Sequence, residues 1–181
     1  MLLRQLFDHL FEYYETQPQV RGGPRQGRRG PLDPSLNQAI LQIVKMIFPK
    51  GYQVQPADDK RAQQVWKRFD AGVAIAPSNN SGYTIFDDPQ VNYAVRVWHD
   101  WNHWKLKKTF QNVHEIQVND QQKRDLINVF GRTAQTMRWC KILDADTVGQ
   151  LQYKQKFGDF PRDQHAFVTA YLQGRGLERK Y

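Results

Sequence analysis

Apolar side chains recur along most of this chain at spacings of three and four residues, which is the period of one buried face of an α-helix. The first such stretch covers residues 2–14 and is rich in leucine, phenylalanine and tyrosine. It stops where Thr16 and Pro18 interrupt the period, so the pattern predicts a first helix that ends there.

Two later helices are predicted from their starting residues. The dipeptides Asp33-Pro34 and Asp88-Pro89 each offer a carboxylate N-cap followed by a proline at the first helical position. The helix that follows Pro89 is predicted to run to about Lys107. At about 100° per residue, its buried stripe is predicted to contain Val91, Val95, Trp98, Asn102 and Leu106.

The remaining helices are predicted from the same kinds of signal. Asn119 and Gln122, for example, have the spacing of a capping box, in which two side chains satisfy backbone N–H groups at a helix start. The predicted limits of these helices are Asp58 to about Gly72, Asn119 to about Leu143, Asp144 to Phe157, and about Pro161 to Gly174.

One stretch breaks the helical period in a different way. Residues 73–76 and 83–86 flank the turn-forming residues 77–82, which predicts a small β-hairpin or an irregular connection. The fold class is therefore predicted to be mostly α: a compact helical domain of six or seven helices with at most one small β-hairpin. A chain of 181 residues with 40% apolar residues suits a single domain spanning residues 1–181.

Residues 17–32 are predicted to form a loop or arm between the first helix and the rest. Residues 21–31 contain four arginines, four glycines and two prolines, a composition that cannot bury apolar surface. Arginines separated by glycines can follow a phosphate backbone without sequence preference, whereas a solvated loop is the competing interpretation. The predicted nucleic-acid-binding residues are Arg21, Arg25, Arg28 and Arg29, extended by Lys105, Lys107 and Lys108.

The composition narrows the classes of partner and site. A net charge of +8, from 26 Lys and Arg against 18 Asp and Glu, attracts nucleic acid or another polyanion. The single cysteine, Cys140, excludes an internal disulfide and a thiolate-rich zinc site. Charged residues interrupt every apolar stretch before the roughly 20 residues that span a bilayer, so no membrane association is expected. The N-terminal segment also lacks the uninterrupted apolar core of a secretory signal.

His99 and His103 form the pattern that points most clearly to chemistry. A four-residue step on a helix returns nearly to the same face, so both imidazoles can bind one divalent metal ion. A carboxylate beside them would leave positions for water or substrate, which supports hydrolysis or oxygen chemistry with Zn, Fe or Mn. Glu115 can supply it if the connection after Lys108 folds back along the helix. The predicted ligands are His99, His103, Glu115 and His165, with Asp100 and His114 as second-rank candidates.

Other interpretations of the same residues compete with this one. Chance pairs of histidines four residues apart also occur on structural helices, where one ring nitrogen is hydrogen-bonded at the edge of the core. A zinc protease would carry glutamate after the first histidine, whereas Asp100 has a shorter reach. The doublet His99-Asp100 resembles the HD phosphohydrolase signature, but His9 is the only histidine upstream and lies too far away. Both of these enzyme classes are disfavoured.

Four short motifs carry a further resemblance: Phe86-Asp-Asp-Pro, Asn92-Tyr-Ala-Val-Arg, His99-Asp-x-x-His103 and Phe160-Pro-x-Asp-Gln-x-Ala-Phe167. In this combination the C-terminal half is similar to small uncharacterised proteins of bacteriophages that carry a histidine-aspartate helix. The resemblance implies a phage origin, with a location in the host cytoplasm or in the virion, and it implies no settled activity.

Two functional hypotheses follow. In the first, a phage-type helical protein holds a divalent metal ion at the histidine pair and acts as a metal-dependent hydrolase or oxygenase. In the second, a non-enzymatic basic protein associates with nucleic acid or with other virion proteins, and the histidines only pack. The arrangement of the imidazole nitrogens in the fold bears directly on this choice.

Overall fold

The computed structural model of the chain describes residues 29–56, 62–78 and 84–181. The predicted helix over residues 2–14, the predicted Asp58 cap, and the arginines Arg21, Arg25 and Arg28 lie outside these ranges. What the sequence predicts for them stays a prediction.

Within these ranges the chain is mostly α-helical, which confirms the predicted fold class. The helices are α1 (Pro34–Ile47), α2 (Ala62–Asp70), α3 (Pro89–Leu106), α4 (Asn112–Phe130), α5 (Ala134–Asp144), α6 (Gln150–Phe157) and α7 (Gln164–Leu172). A π-helical turn, Ala145–Gly149, joins α5 to α6 without a break, so the described residues form six separate helical segments. None of these described helices is long and apolar enough to cross a bilayer.

The N-caps predicted for α1 and α3 are confirmed. The Asp33 carboxylate accepts hydrogen bonds from the backbone N–H groups of Ser35 and Leu36 at 3.0 and 3.1 Å. The Asp88 carboxylate accepts one from the N–H of Gln90 at 2.8 Å. Each following proline occupies a position whose N–H would have no partner inside the helix. These local signals fix where each helix begins.

The two strands pair differently from the hairpin that the sequence suggested. Strand β1 (Gln53–Gln55) pairs with β2 (Ile75–Pro77) in parallel, with Val54 opposite Ala76. Parallel neighbours need a crossover connection, and α2 lies in this one. The partner of β2 thus comes from before α2 in the sequence. Residues 79–83, which include most of the predicted turn, lie outside the described ranges.

Helix α4 begins and ends earlier than predicted. It starts at Asn112, so Asn119 and Gln122 lie buried in its middle. It ends at Gly131, whose φ of 76° is rarely adopted by other residues. Thr133 then caps α5 with its side chain. The long helix predicted to reach Leu143 is therefore two helices.

Helix α3 lies at the centre of the described fold, where it packs against α1, α2 and α4. Trp98 is fully buried, as predicted, and donates its indole N–H to the carboxylate of Asp125 on α4 at 3.0 Å. Because residues 107–111 form a short connection, α3 and α4 run antiparallel, and the end of α3 faces the start of α4. Other fully buried side chains include Leu36, Ile40, Ile85, Leu126, Ile142, Tyr153 and Phe167.

Candidate metal centre

His99 and His103 lie one turn apart on α3 and direct the same ring nitrogen at each other. Their Nε2 atoms are 3.0 Å apart, and the two rings meet edge to face with centroids separated by 4.6 Å. The four-residue spacing accounts for this proximity, because it places both side chains on the same helix face.

Glu115, in the first turn of α4, lies between these two imidazoles. Its Oε2 atom is 2.8 Å from Nε2 of His99, and its Oε1 atom is 3.3 Å from Nε2 of His103. The chain folds back after Lys107, which ends α3 in the left-handed conformation with a φ of 52°. This reversal is the condition on which the sequence-based prediction for Glu115 depended.

The second nitrogen of each imidazole is held by another partner. Nδ1 of His99 lies 3.3 Å from the side-chain oxygen of Gln122, and Nδ1 of His103 lies 3.0 Å from the backbone oxygen of Lys108. Both acceptors favour a proton on Nδ1, which leaves the lone pair of Nε2 directed at the shared space beside Glu115. Metal-binding histidines are commonly oriented through their other nitrogen in this way.

The donor separations suit a cation. A metal ion bound at about 2.0–2.2 Å, with angles between octahedral and tetrahedral values, brings neighbouring donor atoms to within about 2.8–3.6 Å of one another. The separations of 2.8, 3.0 and 3.3 Å are close to that range. His99, His103 and Glu115 therefore form a group that could hold a metal ion. Two imidazoles and one carboxylate on one side leave further coordination positions open.

The charges of these groups are coupled. Burial opposes ionisation of Glu115, but hydrogen bonds from His103 and His99, together with their charges, lower its pKa from 4.5 to about 2. Burial likewise opposes protonation of His99, but the hydrogen bond and charge of Glu115, with a contribution from Asp100, raise the pKa of the imidazole. At neutral pH the glutamate is an anion that attracts either a proton on an imidazole or a cation.

The site is closed on one side and open on the other. His103 is fully buried, whereas the side chains of His99 and Glu115 are 24% and 18% exposed. Phe110 covers His103 edge to face, with centroids 4.8 Å apart. Solvent or a small molecule could thus approach from the side of His99 and Glu115.

Sequence reasoning missed the part that Gln122 plays in this site. The side chain is 2% exposed, its oxygen holds His99, and its Nε2 atom has no hydrogen-bond partner among the described residues. Asn119, one turn earlier, donates to Asp144 at 2.7 Å, while its own oxygen is buried without a described partner. The spacing of Glu115, Asn119 and Gln122 along one face of α4 is the available signal, but the last two also have the spacing of a helix start.

Asp146, in the π-helical turn, is a second carboxylate that the sequence did not single out. Burial raises its pKa to about 6, opposed only in part by a hydrogen bond from Gln150 and by the charge of His99. Nε2 of Gln150 donates to its Oδ1 atom at 2.8 Å.

Gly149 lets the π-helical turn pack closely on α7, since a Cβ atom there would lie 3.1 Å from the ring of Tyr171. The sequence predicted Asp144 as a helix cap, but the chain continues through it in helical conformation.

Three other predicted ligands lie outside the donor group. His165 is in the first turn of α7, and its backbone oxygen accepts from the hydroxyl of Thr169 at 2.8 Å. Nδ1 of His114 is engaged with Thr109 in the connection between α3 and α4. Asp100 acts on His99 through its charge and is not part of the group of converging donor atoms.

Three of the predicted nucleic-acid-binding residues that the structure describes have polar protein partners, namely Arg29, Lys107 and Lys108. Arg29 forms an ion pair of 2.9 Å with Asp163, and both side chains are largely exposed. Lys108 is half-buried, and its backbone oxygen orients His103.

The side chains of Lys105 and Lys107, at the end of α3, lie against tryptophan rings. The ammonium group of Lys105 lies 4.6 Å from the ring centroid of Trp101. That of Lys107 lies 5.2 Å from the ring of Trp104 and 5.5 Å from that of Trp66. We call these five residues the lysine–tryptophan surface. It combines two ammonium groups with flat apolar rings. Asp70 borders it: the carboxylate lies 3.7 Å from the ammonium group of Lys107 and accepts from the indole N–H of Trp104 at 2.7 Å.

Comparison of the chain with protein-family models, with curated proteins and with solved structures found no match.

Proposed function

We propose that His99, His103 and Glu115 bind one divalent metal ion, and that the protein is a metal-dependent enzyme of the hydrolase or oxygenase class. The observation that carries the proposal is the convergence of three donor groups from two helices, with nearest donor atoms 2.8 to 3.3 Å apart and both remaining imidazole nitrogens held by other groups. A bound ion of this kind would act as a Lewis acid or activate water. The resemblance of four short motifs to bacteriophage proteins supports a phage origin as part of the same proposal.

The residues around the donors have separable tasks in this proposal. Gln122 and the backbone oxygen of Lys108 hold the imidazoles in the orientation that exposes Nε2. Phe110 and the buried position of His103 exclude water from one side of the site. The partly exposed side chains of His99 and Glu115 leave the other side accessible to a substrate.

Metal titration of the chelator-treated protein tests the proposal. We expect one equivalent of Zn(II), Mn(II), Co(II) or Fe(II) to bind, and His99→Ala and His103→Ala to lose at least tenfold in affinity. His165→Ala is the matched control, because His165 lies outside the donor group, and it should bind as the wild type does. Wild-type protein that binds no metal stoichiometrically would overturn the proposal.

The lysine–tryptophan surface favours a second candidate function, association with single-stranded nucleic acid. Stacking of bases on aromatic rings beside cations is the usual basis of such binding, and its affinity falls steeply with salt. We expect the double variant Lys105→Glu/Lys107→Glu to bind an arbitrary single-stranded DNA more weakly and with a lower salt dependence, by about 1.4 in the logarithmic slope. The control variant Lys141→Glu/Lys180→Glu makes the same change of charge away from the lysine–tryptophan surface.

Removing residues 21–30 separately tests the arginine-rich arm. Gel shifts at two salt concentrations compare the deletion, both double variants and the wild type. Binding that is unaffected both by the deletion and by the change at Lys105 and Lys107 would refute this candidate.

A further inference from the structure

We propose that the metal site extends to the π-helical turn, and that Asp146 is its second carboxylate, which binds the ion through a coordinated water molecule. This inference rests on the proposed metal site. It assigns to the site a residue from a third element of the fold, in addition to the ligands on α3 and α4.

The first reason is the position of Asp146. The π turn packs against α4, the helix that carries Glu115 and Gln122, and His99 is the charged side chain that acts on the Asp146 carboxyl. Asp146 is not among the donors that converge within 4.8 Å of one another, so its contact with an ion would be through water. π-helical turns inside α-helical segments occur frequently at functional sites.

The second reason is that the charge of the Asp146 carboxylate is only partly compensated. Its Oδ1 atom accepts from Gln150, but no described lysine or arginine forms an ion pair with it. A carboxylate removed from water is costly unless a cation or several hydrogen bonds compensate it. His99, His103 and Glu115 alone would leave a divalent ion with one uncompensated positive charge. A second carboxylate balances that charge, and the ion in turn supplies the missing cation.

The third reason is an unpartnered donor next to His99. Nε2 of Gln122 is buried and has no partner among the described residues, and the side chain is 2% exposed. Ordered water commonly satisfies such a group, and needs two to four polar partners to be held. Gln122 therefore offers a donor, beside His99, to an ordered water molecule of the kind that a water-mediated contact to Asp146 requires.

Metal affinity and stability of Asp146→Asn test the inference. The substitution keeps the shape of the side chain and removes its charge. We expect Co(II) and Zn(II) to bind at least tenfold more weakly, the size of effect found for groups that support metal ligands. Asp144→Asn is the matched control: it removes the same charge two residues earlier from a carboxylate that is paired with Lys123, and it should change affinity by less than threefold.

A change in relative thermal stability distinguishes this role from a structural one. Without metal, Asp146→Asn should be at least as stable as the wild type, because the partly compensated charge is gone. Saturating metal should then favour the wild type, since each tenfold loss of affinity in Asp146→Asn reduces its stabilisation by metal by about 1.4 kcal/mol. Asp146→Glu retains the charge and should keep most of the affinity.

The outcomes separate the two proposals. If the wild type binds metal and Asp146→Asn binds equally well, the role of Asp146 is refuted and the three-residue site stands. If the wild type binds no metal, both proposals fail. If Asp146→Asn is less stable than the wild type even without metal, the residue is structural and the inference is overturned.

Discussion

Replacing Glu115 with glutamine removes the charge that holds the two histidines together, with little change in side-chain size. Each Glu115 oxygen faces the Nε2 atom of a different imidazole, at 2.8 and 3.3 Å. A glutamine offers one oxygen and one NH₂ group, so it can accept from only one ring. We therefore expect Glu115→Gln to destabilise the metal-free protein.

The pKa of Glu115 sets the magnitude. A change from 4.5 to about 2, at about 1.36 kcal/mol per pKa unit, corresponds to about 3 kcal/mol of folding free energy. The interaction between Glu115 and His99 also raises the pKa of His99, so its free energy is counted once and not for each residue. Because the folded pKa of Glu115 is lowered, its contribution is present above the unfolded value of 4.5 and is lost as the pH falls towards 2. Because the folded pKa of His99 is raised, the contribution of His99 to the folding free energy is present below pH 6.5 and is lost as the pH rises through the folded pKa.

Denaturant unfolding with a chelator present measures this difference. We expect the gap between wild type and Glu115→Gln to be widest between about pH 5 and about pH 6, and narrower near about pH 3 and about pH 9. Glu178→Gln changes an exposed carboxylate near the C-terminus and should shift the free energy of unfolding by less than about 0.5 kcal/mol. A gap that does not vary with pH would refute the charge-based reasoning.

Three further predictions concern the same helix pair. Metal binding should weaken as the pH falls through the raised pKa of His99, because a proton and the ion compete for Nε2. Equal affinities in titrations at about pH 5.5 and about pH 7.5 would contradict this prediction. Gln122→Ala should lower metal affinity by about 10- to 100-fold, since His99 loses the group that orients it, and calorimetric titration measures the change. Trp98→Phe should cost about 1–3 kcal/mol by urea unfolding, because Asp125 loses its indole donor; an unchanged midpoint would show that this hydrogen bond contributes nothing.

The parts of the fold that were predictable from the sequence depend on local geometry. Asp33 and Asp88 cap their helices through side chains that reach backbone groups two or three residues away, so neighbouring residues suffice to recognise them. The proximity of His99 and His103 is equally local, because any regular helix brings residues four apart to one face. A metal site also needs a carboxylate from another helix. Glu115 can supply it only because the chain reverses after Lys107.

The parts that were not predictable depend on contacts between distant segments or on ambiguous spacing. Asn119 and Gln122 are three residues apart, which is the spacing of a capping box and also that of one helix face, and burial against α3 decides between the two. The pairing of Val54 with Ala76 joins strands on either side of α2, so no hairpin pattern could show it. Asp146 lies in a π turn, for which the period of apolar residues gives no signal.

The polar groups buried near the α3–α4 interface explain why metal binding should strengthen this fold. Asn102, Asn119 and Gln122 each keep one buried atom without a hydrogen-bond partner among the described residues. Each such group costs about 1–3 kcal/mol, and three of them together approach the total stability of about 5–15 kcal/mol that a domain of ordinary size has. Asn102 and Asn119 use their other polar atom within the protein, and Gln122 uses its oxygen to hold His99. A bound ion with ordered water beside Gln122 would offset the cost of its unpartnered Nε2 atom, and stabilisation by metal is therefore expected to be larger than the three ligands alone would give.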